Sequence, residues 1–128
     1  MRTTLTSLLW VGLGGAIGSI GRWWLSGVAQ RLSGGTFPWG TLAVNALGSV
    51  AVGLIAAWAL ERALVPPAAR LFLITGVLGG FTTFSAFSYE TLALLRDGQW
   101  GAAIAYAGGS VLAGVVGAFA GLRIGLRA

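Results

Sequence analysis

The residue types able to do chemistry cluster in one stretch, Gly76-Val77-Leu78-Gly79-Gly80-Phe81-Thr82-Thr83-Phe84-Ser85-Ala86-Phe87-Ser88-Tyr89-Glu90. Paired glycines followed by paired threonines are poor helix formers, yet they lie within strongly apolar sequence. If that sequence crosses a bilayer, unwound backbone survives only where protein or a polar cavity satisfies its amides and carbonyls. Carbonyls freed by such a break suit a cation, and the N-terminus of the helix that resumes suits an anion. Two readings of the spacing stand side by side: a break that serves an ion, and a continuous helix whose glycines make a close contact.

Composition narrows the rest. The chain has 128 residues, no histidine and no cysteine, which removes disulfides, thiolate and imidazole metal sites, cysteine nucleophiles and the usual proton shuttle. Hydrophobic residues make up 56% and charged residues 9%, and the mean hydropathy is +0.86. A single domain this small cannot hide so much apolar surface in its own core, so lipid is its natural solvent. The net charge of +5 comes from arginines scattered between apolar runs. They form no patch of the kind that binds nucleic acid, and a membrane surface is the partner they fit. Met1-Arg2 and the apolar run behind it resemble a signal peptide, but equally apolar sequence follows, so the run is read as a first membrane span.

The elements that must position the central stretch are four apolar runs, residues 5–29, 39–60, 69–95 and 101–122. Each is long enough for a hydrocarbon core of about 30 Å. The expected fold is therefore all-α, one domain over residues 1–128, with four transmembrane helices and a third helix broken near its middle. With four spans both termini share a side, A. Arg2, Arg62, Arg70, Arg123 and Arg127 fall there, against Arg31 and Arg96 on side B. That mild bias favours side A in the cytoplasm, and it is small enough for insertion in both orientations. Trp10, Trp23, Trp24, Trp39, Trp58 and Trp100 lie near span ends, where tryptophan anchors a helix at the interface. Gly14 and Gly18, and Gly117, Gly121 and Gly125, recur every fourth residue, a spacing that serves packing within one chain or between subunits. Gly12-Leu13-Gly14-Gly15 resembles a dinucleotide loop but lacks the third glycine and the preceding strand.

Depth adds a second clue. At a rise of about 1.5 Å per residue, Arg22, Asn45, Glu90 and Tyr106 all lie roughly 7–10 Å inside side B, one from each span. Buried charge in lipid is paired or faces water, so Arg22 and Glu90 either pair or reach back to the interface. Asn45 is too short to reach and needs partners for its amide. Deeper still lie Phe84, Phe87, Ser85 and Ser110. Aromatic ring edges carry partial positive charge, and a dry slot of such edges with hydroxyl and amide donors suits a small anion.

At these residues the chain resembles the Fluc (CrcB-type) fluoride channel family. The similarity runs through Gly14-Gly15-Ala16-Ile17-Gly18 with Arg22, Pro38-Trp39-Gly40-Thr41-Leu42-Ala43-Val44-Asn45 with Gly48-Ser49, the whole of Gly76 to Glu90, and Tyr106 with Ser110. Ala86 departs from it, where a threonine is common, and takes no role. The resemblance implies a homodimer of antiparallel, dual-topology subunits in a bacterial inner membrane, with two pores for passive fluoride efflux. It implies a structural sodium ion at the dimer centre, held by the carbonyls of Gly79 and Thr82. Phe84 and Phe87 would line the pores, Asn45 would be a fluoride ligand, and Tyr106, Ser110, Thr83 and Ser85 would form a polar track. Arg22 would make the vestibule electropositive, with Glu90 as a further polar group. No reaction is catalysed in this reading. The rival functions are a small dual-topology, proton-coupled transporter, which needs an acid near the middle of a span, and a regulatory subunit without transport of its own.

Overall fold

The computed structural model describes residues 4–128. Arg2, counted with the arginines of side A, lies outside them. Helix α1 is Leu5–Ser33, opened by Thr4, whose hydroxyl accepts the Ser7 N–H at 3.2 Å. It ends at Gly34 and Gly35, which adopt φ of 69° and 72°, a left-handed backbone that glycine accepts without strain. Helix α2 is Trp39–Glu61, and its last turn, Ala57–Glu61, widens to π-helical winding. Gln30 fastens the α1–α2 connection: its amide donates to the Phe37 carbonyl at 3.0 Å and accepts the Gly40 N–H at 3.1 Å.

Pro67 starts the next helix at a position where its missing N–H costs nothing. Pro67–Arg70, the π-helical Leu71–Leu78 and Gly79–Phe81 follow one another without interruption and form α3 (67–81). Helix α4 is Phe84–Arg96 and α5 is Trp100–Arg127. Among the described residues there is no strand. Three helical runs, Trp39–Glu61, Pro67–Arg96 and Trp100–Arg127, are long and apolar enough to cross a membrane. Helices α1 and α5 run several residues past the expected spans, to Ser33 and Arg127.

The helices pack as two pairs, α1 against α3 and α2 against α5, and glycine is the reason they can. A Cβ on Gly14 would stand 2.9 Å from the Gly76 Cα, and one on Gly121 would collide with the Val50 carbonyl oxygen. Gly117 and Gly125 likewise face α2. Both small-residue stripes are thus consumed by packing within the chain, which decides between the two uses their spacing allowed. The dinucleotide-like Gly12-Leu13-Gly14-Gly15 is plain helix within this contact. Few large side chains are buried, chiefly Val44 and Tyr106, while leucines, valines and tryptophans along α1 and α5 are exposed. Such a surface calls for lipid or a second protein surface to cover it.

Candidate functional site

Helix α3 stops at Phe81 and α4 begins at Phe84, close to the middle of the 30-residue run Pro67–Arg96. Thr82 and Thr83 between them are extended, with φ/ψ of −86°/156° and −151°/114°. The break is therefore real, but it falls on the threonines. Gly79 is helical at φ −62°, ψ −37°, and Gly79–Phe81 completes the last turn of α3. The glycines stay wound because their task is contact. A Cβ on Gly80 would approach the Gly15 carbonyl oxygen to 2.5 Å and the Ser19 nitrogen to 3.0 Å.

Asn45 on α2 holds the break open. Its Oδ1 accepts the Thr83 N–H at 2.8 Å and its Nδ2 donates to the Thr83 carbonyl at 3.0 Å. In a continuous helix the Thr83 N–H would bond to the Gly79 carbonyl, so this clamp sets that oxygen free. The Asn45 amide orientation follows from chemistry, because only the oxygen can receive the Thr83 N–H. The Ser49 hydroxyl donates to the Asn45 carbonyl at 2.8 Å, one turn along α2. Thr83 also caps α4, its hydroxyl accepting the Ala86 N–H at 3.1 Å. Thr82 turns its own hydroxyl back to the Leu78 carbonyl at 2.8 Å.

Seven of the expected site residues meet here. Asn45, Gly79, Thr82, Thr83, Phe84, Phe87 and Ser110 line one open pocket of about 430 Å³. Its lining includes the carboxyl end of α3 and the amino end of α4, where helix ends leave carbonyls and N–H groups without helical partners. The Phe84 and Phe87 rings touch at a tilt of 42°, with centroids 5.5 Å apart. Phe84 is 80% exposed in the single chain. The Ser110 hydroxyl is buried and, among the described side chains, has no hydrogen-bond partner. Ser85 is exposed, its hydroxyl 3.4 Å from that of Thr83.

Glu90 and Tyr106 form a second polar node with Thr41. Glu90 accepts the Thr41 hydroxyl at 2.7 Å and the Tyr106 hydroxyl at 2.6 Å. The Tyr106 ring meets Phe87 edge-on at 5.3 Å, linking node and pocket. Of the two arrangements open to Arg22 and Glu90, pairing and reaching back to the interface, the pair is not formed: Arg22 Nε donates to the Gly80 carbonyl at 3.0 Å. Equal depth placed the two in one layer, but Gly18 and Gly21 pack against Val77 and Phe81, which sets Arg22 level with the end of α3 and leaves Glu90 roughly 10 Å further along α4. Thr41 carried no expected role. The signal that could have found it is its place four residues before Asn45, on the same face of α2.

A family model described as CrcB-like protein, Camphor Resistance (CrcB) matches residues 9–122. A protein of Thermus thermophilus named fluoride-specific ion channel FluC is 56% identical over 117 residues, covering 91% of this chain and 93% of its own length. Proteins of the same name from Opitutus terrae and Novosphingobium aromaticivorans are 53% and 48% identical, covering 84% and 94% of this chain and 80% and 96% of their own lengths. Helices, break and both polar nodes lie almost wholly inside the matched residues, and the chain belongs to the CrcB-like family.

Proposed function

We propose that this protein is a fluoride-selective channel that lets fluoride leave a bacterial cell passively across the inner membrane. The observation that carries the reading is the pocket at the α3–α4 break, in a chain 56% identical to a protein named a fluoride-specific ion channel. Fluoride holds its water tightly, so a pore must replace that water with placed donors, yet bind weakly enough to release the ion. The second Nδ2 proton of Asn45, the Ser110 hydroxyl, and the ring edges of Phe84 and Phe87 are neutral groups of this kind. Neutral donors and a narrow slot give selectivity without a deep trap.

The functional unit in this reading is a dual-topology homodimer of antiparallel subunits with two pores, in which α1 is a fourth span. The pocket opens at the surface of one chain and Phe84 projects from it, so a second copy would close the slot. The break also suits a structural sodium ion at the dimer centre. Among the described residues no group of acidic, cysteine or histidine side chains stands ready to hold a metal, whereas the freed carbonyls of Gly79 and Thr82 are hard oxygen donors. One chain supplies two, and two copies would supply four. When bound, the cation would neutralise the facing carbonyl dipoles of the unwound segments.

Expression in a bacterial strain that lacks its own fluoride exporter tests the proposal. Growth in millimolar fluoride is the expected result, and continued sensitivity with the protein present in the membrane contradicts it. A proton-coupled carrier would use Glu90, held by Thr41 and Tyr106, as its acid. Fluoride flux should follow the fluoride gradient with no dependence on an imposed pH gradient, and pumping against the fluoride gradient would favour the carrier.

Two substitutions separate function from stability. Ser110→Ala removes a buried hydroxyl that has no hydrogen-bond partner among the described residues, so thermal stability should hold or rise by about 0.5–1 kcal/mol. Fluoride flux should nevertheless fall several-fold. Phe84→Ile keeps an apolar side chain at an exposed position but removes the ring edge. It should cut flux by about tenfold or more, corresponding to ~1.4 kcal/mol, while the dimer still elutes as one species in size-exclusion chromatography.

A further inference from the structure

We propose that Arg22 is a positioning residue for the cation site, acting through the Gly80 carbonyl, and not only a source of positive potential in a vestibule. This rests on the reading that a cation occupies the break. The carboxyl end of α3 releases several carbonyls at once, since no helical N–H follows them. They are not equivalent. Gly79 and Thr82 line the pocket, whereas Gly80 does not. Gly80 lies against α1, close to Gly15 and Ser19. There its carbonyl receives Arg22 Nε at 3.0 Å, a partly buried bond between residues 58 apart in sequence.

Three features fix that bond. Gly18 lets α1 approach so closely that a Cβ would collide with the Val77 carbonyl. The approach brings Arg22, one turn further along α1, level with the end of α3. A guanidinium is favourable at a helix carboxyl end, where the dipole is negative. Its charged donor also bonds a carbonyl more strongly than a neutral donor does. The bond sorts the freed oxygens by face, drawing Gly80 toward α1 and leaving Gly79 and Thr82 toward the pocket. Without it the last turn of α3 can rotate or fray, and the two pocket-facing oxygens lose their fixed separation.

The test reads cation binding directly. Purified protein is exchanged into N-methyl-D-glucamine chloride without fluoride, and its thermal unfolding is followed as sodium is restored, with potassium in parallel. A ligand that binds the folded state raises the midpoint by mass action, so the sodium concentration giving half the gain reports affinity. Arg22→Met keeps an apolar stem and removes the donor, and should raise that concentration by about tenfold or more. Arg22→Lys keeps a charged donor and should stay within about threefold of the parent. Arg31→Met, a basic residue near the end of α1, should leave it unchanged. An Arg22→Met protein with the parent's sodium dependence overturns the proposal, even if its fluoride flux has fallen. Should Arg22→Met not fold, Arg22→Gln is read the same way, a raised concentration supporting the proposal and an unchanged one overturning it. A parent protein with no sodium-specific gain overturns the cation reading itself, and the role of Arg22 with it.

Discussion

Asn45→Asp should lower fluoride flux more than a hundredfold while the helices remain folded. The asparagine amide now serves Thr83 at both ends, accepting its N–H at 2.8 Å and donating to its carbonyl at 3.0 Å. A carboxylate keeps the first bond and loses the second, so two acceptor oxygens face each other across the break. It also places a negative charge on the wall of the pocket. At about 5 Å and an effective dielectric near 20, that charge repels fluoride by about 3 kcal/mol. Each ~1.4 kcal/mol is a factor of ten in rate, which gives the hundredfold. Vesicle flux together with helical circular dichroism checks it. A variant with parent-like flux removes Asn45 from the ion's route.

Gly121→Leu should abolish recovery of folded protein. The Cβ alone would collide with the Val50 carbonyl oxygen and stand 2.9 Å from the Leu54 nitrogen. Those are backbone atoms, so no rotamer change relieves the clash, and α2 and α5 must part along their shared seam. Overpacking costs about 1–3 kcal/mol even where side chains can yield, and more where they cannot. Gly114→Ala is the control on the same helix. Its Cβ would meet Ser49 Oγ at an ordinary 3.5 Å, and alanine is the better helix former by about 1 kcal/mol. That variant should be recovered at parent levels. Monodisperse Gly121→Leu protein with an unchanged melting temperature would contradict the packing described for α2 and α5.

Legibility in the sequence differed between levels. The apolar runs and the short connections were readable because lipid imposes length and composition on every span. The presence of a break was readable from Gly79-Gly80-Phe81-Thr82-Thr83, since these residues pay most for staying helical. Its position was not. Thr82 and Thr83 are extended because Asn45, 38 residues earlier than Thr83, bonds the Thr83 backbone. Gly80 stays wound because α1 presses against it. Both causes are tertiary and leave no local trace. The π-helical winding of Leu71–Leu78 is likewise invisible in a uniformly apolar segment.

The polar residues show the same division. The rise of about 1.5 Å alone puts Arg22, Asn45, Glu90 and Tyr106 in one layer, but the contacts divide them: Arg22 and Asn45 meet the break at Gly80 and Thr83, and Tyr106 meets Glu90 further along α4. Partners depend on the axial shift and the azimuth of each helix against its neighbour, which glycine contacts set. Gly14, Gly18 and Gly80 turn α1 and α3 so that Arg22 meets a carbonyl. Glu90 is met instead by the hydroxyls of Thr41 and Tyr106. In place of an ion pair there are two separate nodes, one at the helix break and one at Glu90, joined by the edge of Tyr106 against Phe87.

Fluoride and chloride release from the same proteoliposomes is the most direct test of the proposed channel. Purified protein is reconstituted, the vesicles are loaded with both anions, and valinomycin starts efflux while two ion-selective electrodes record it. Rapid fluoride release with chloride retained is the predicted result. Equal release of both anions, or of neither, from vesicles shown to contain folded protein would contradict it.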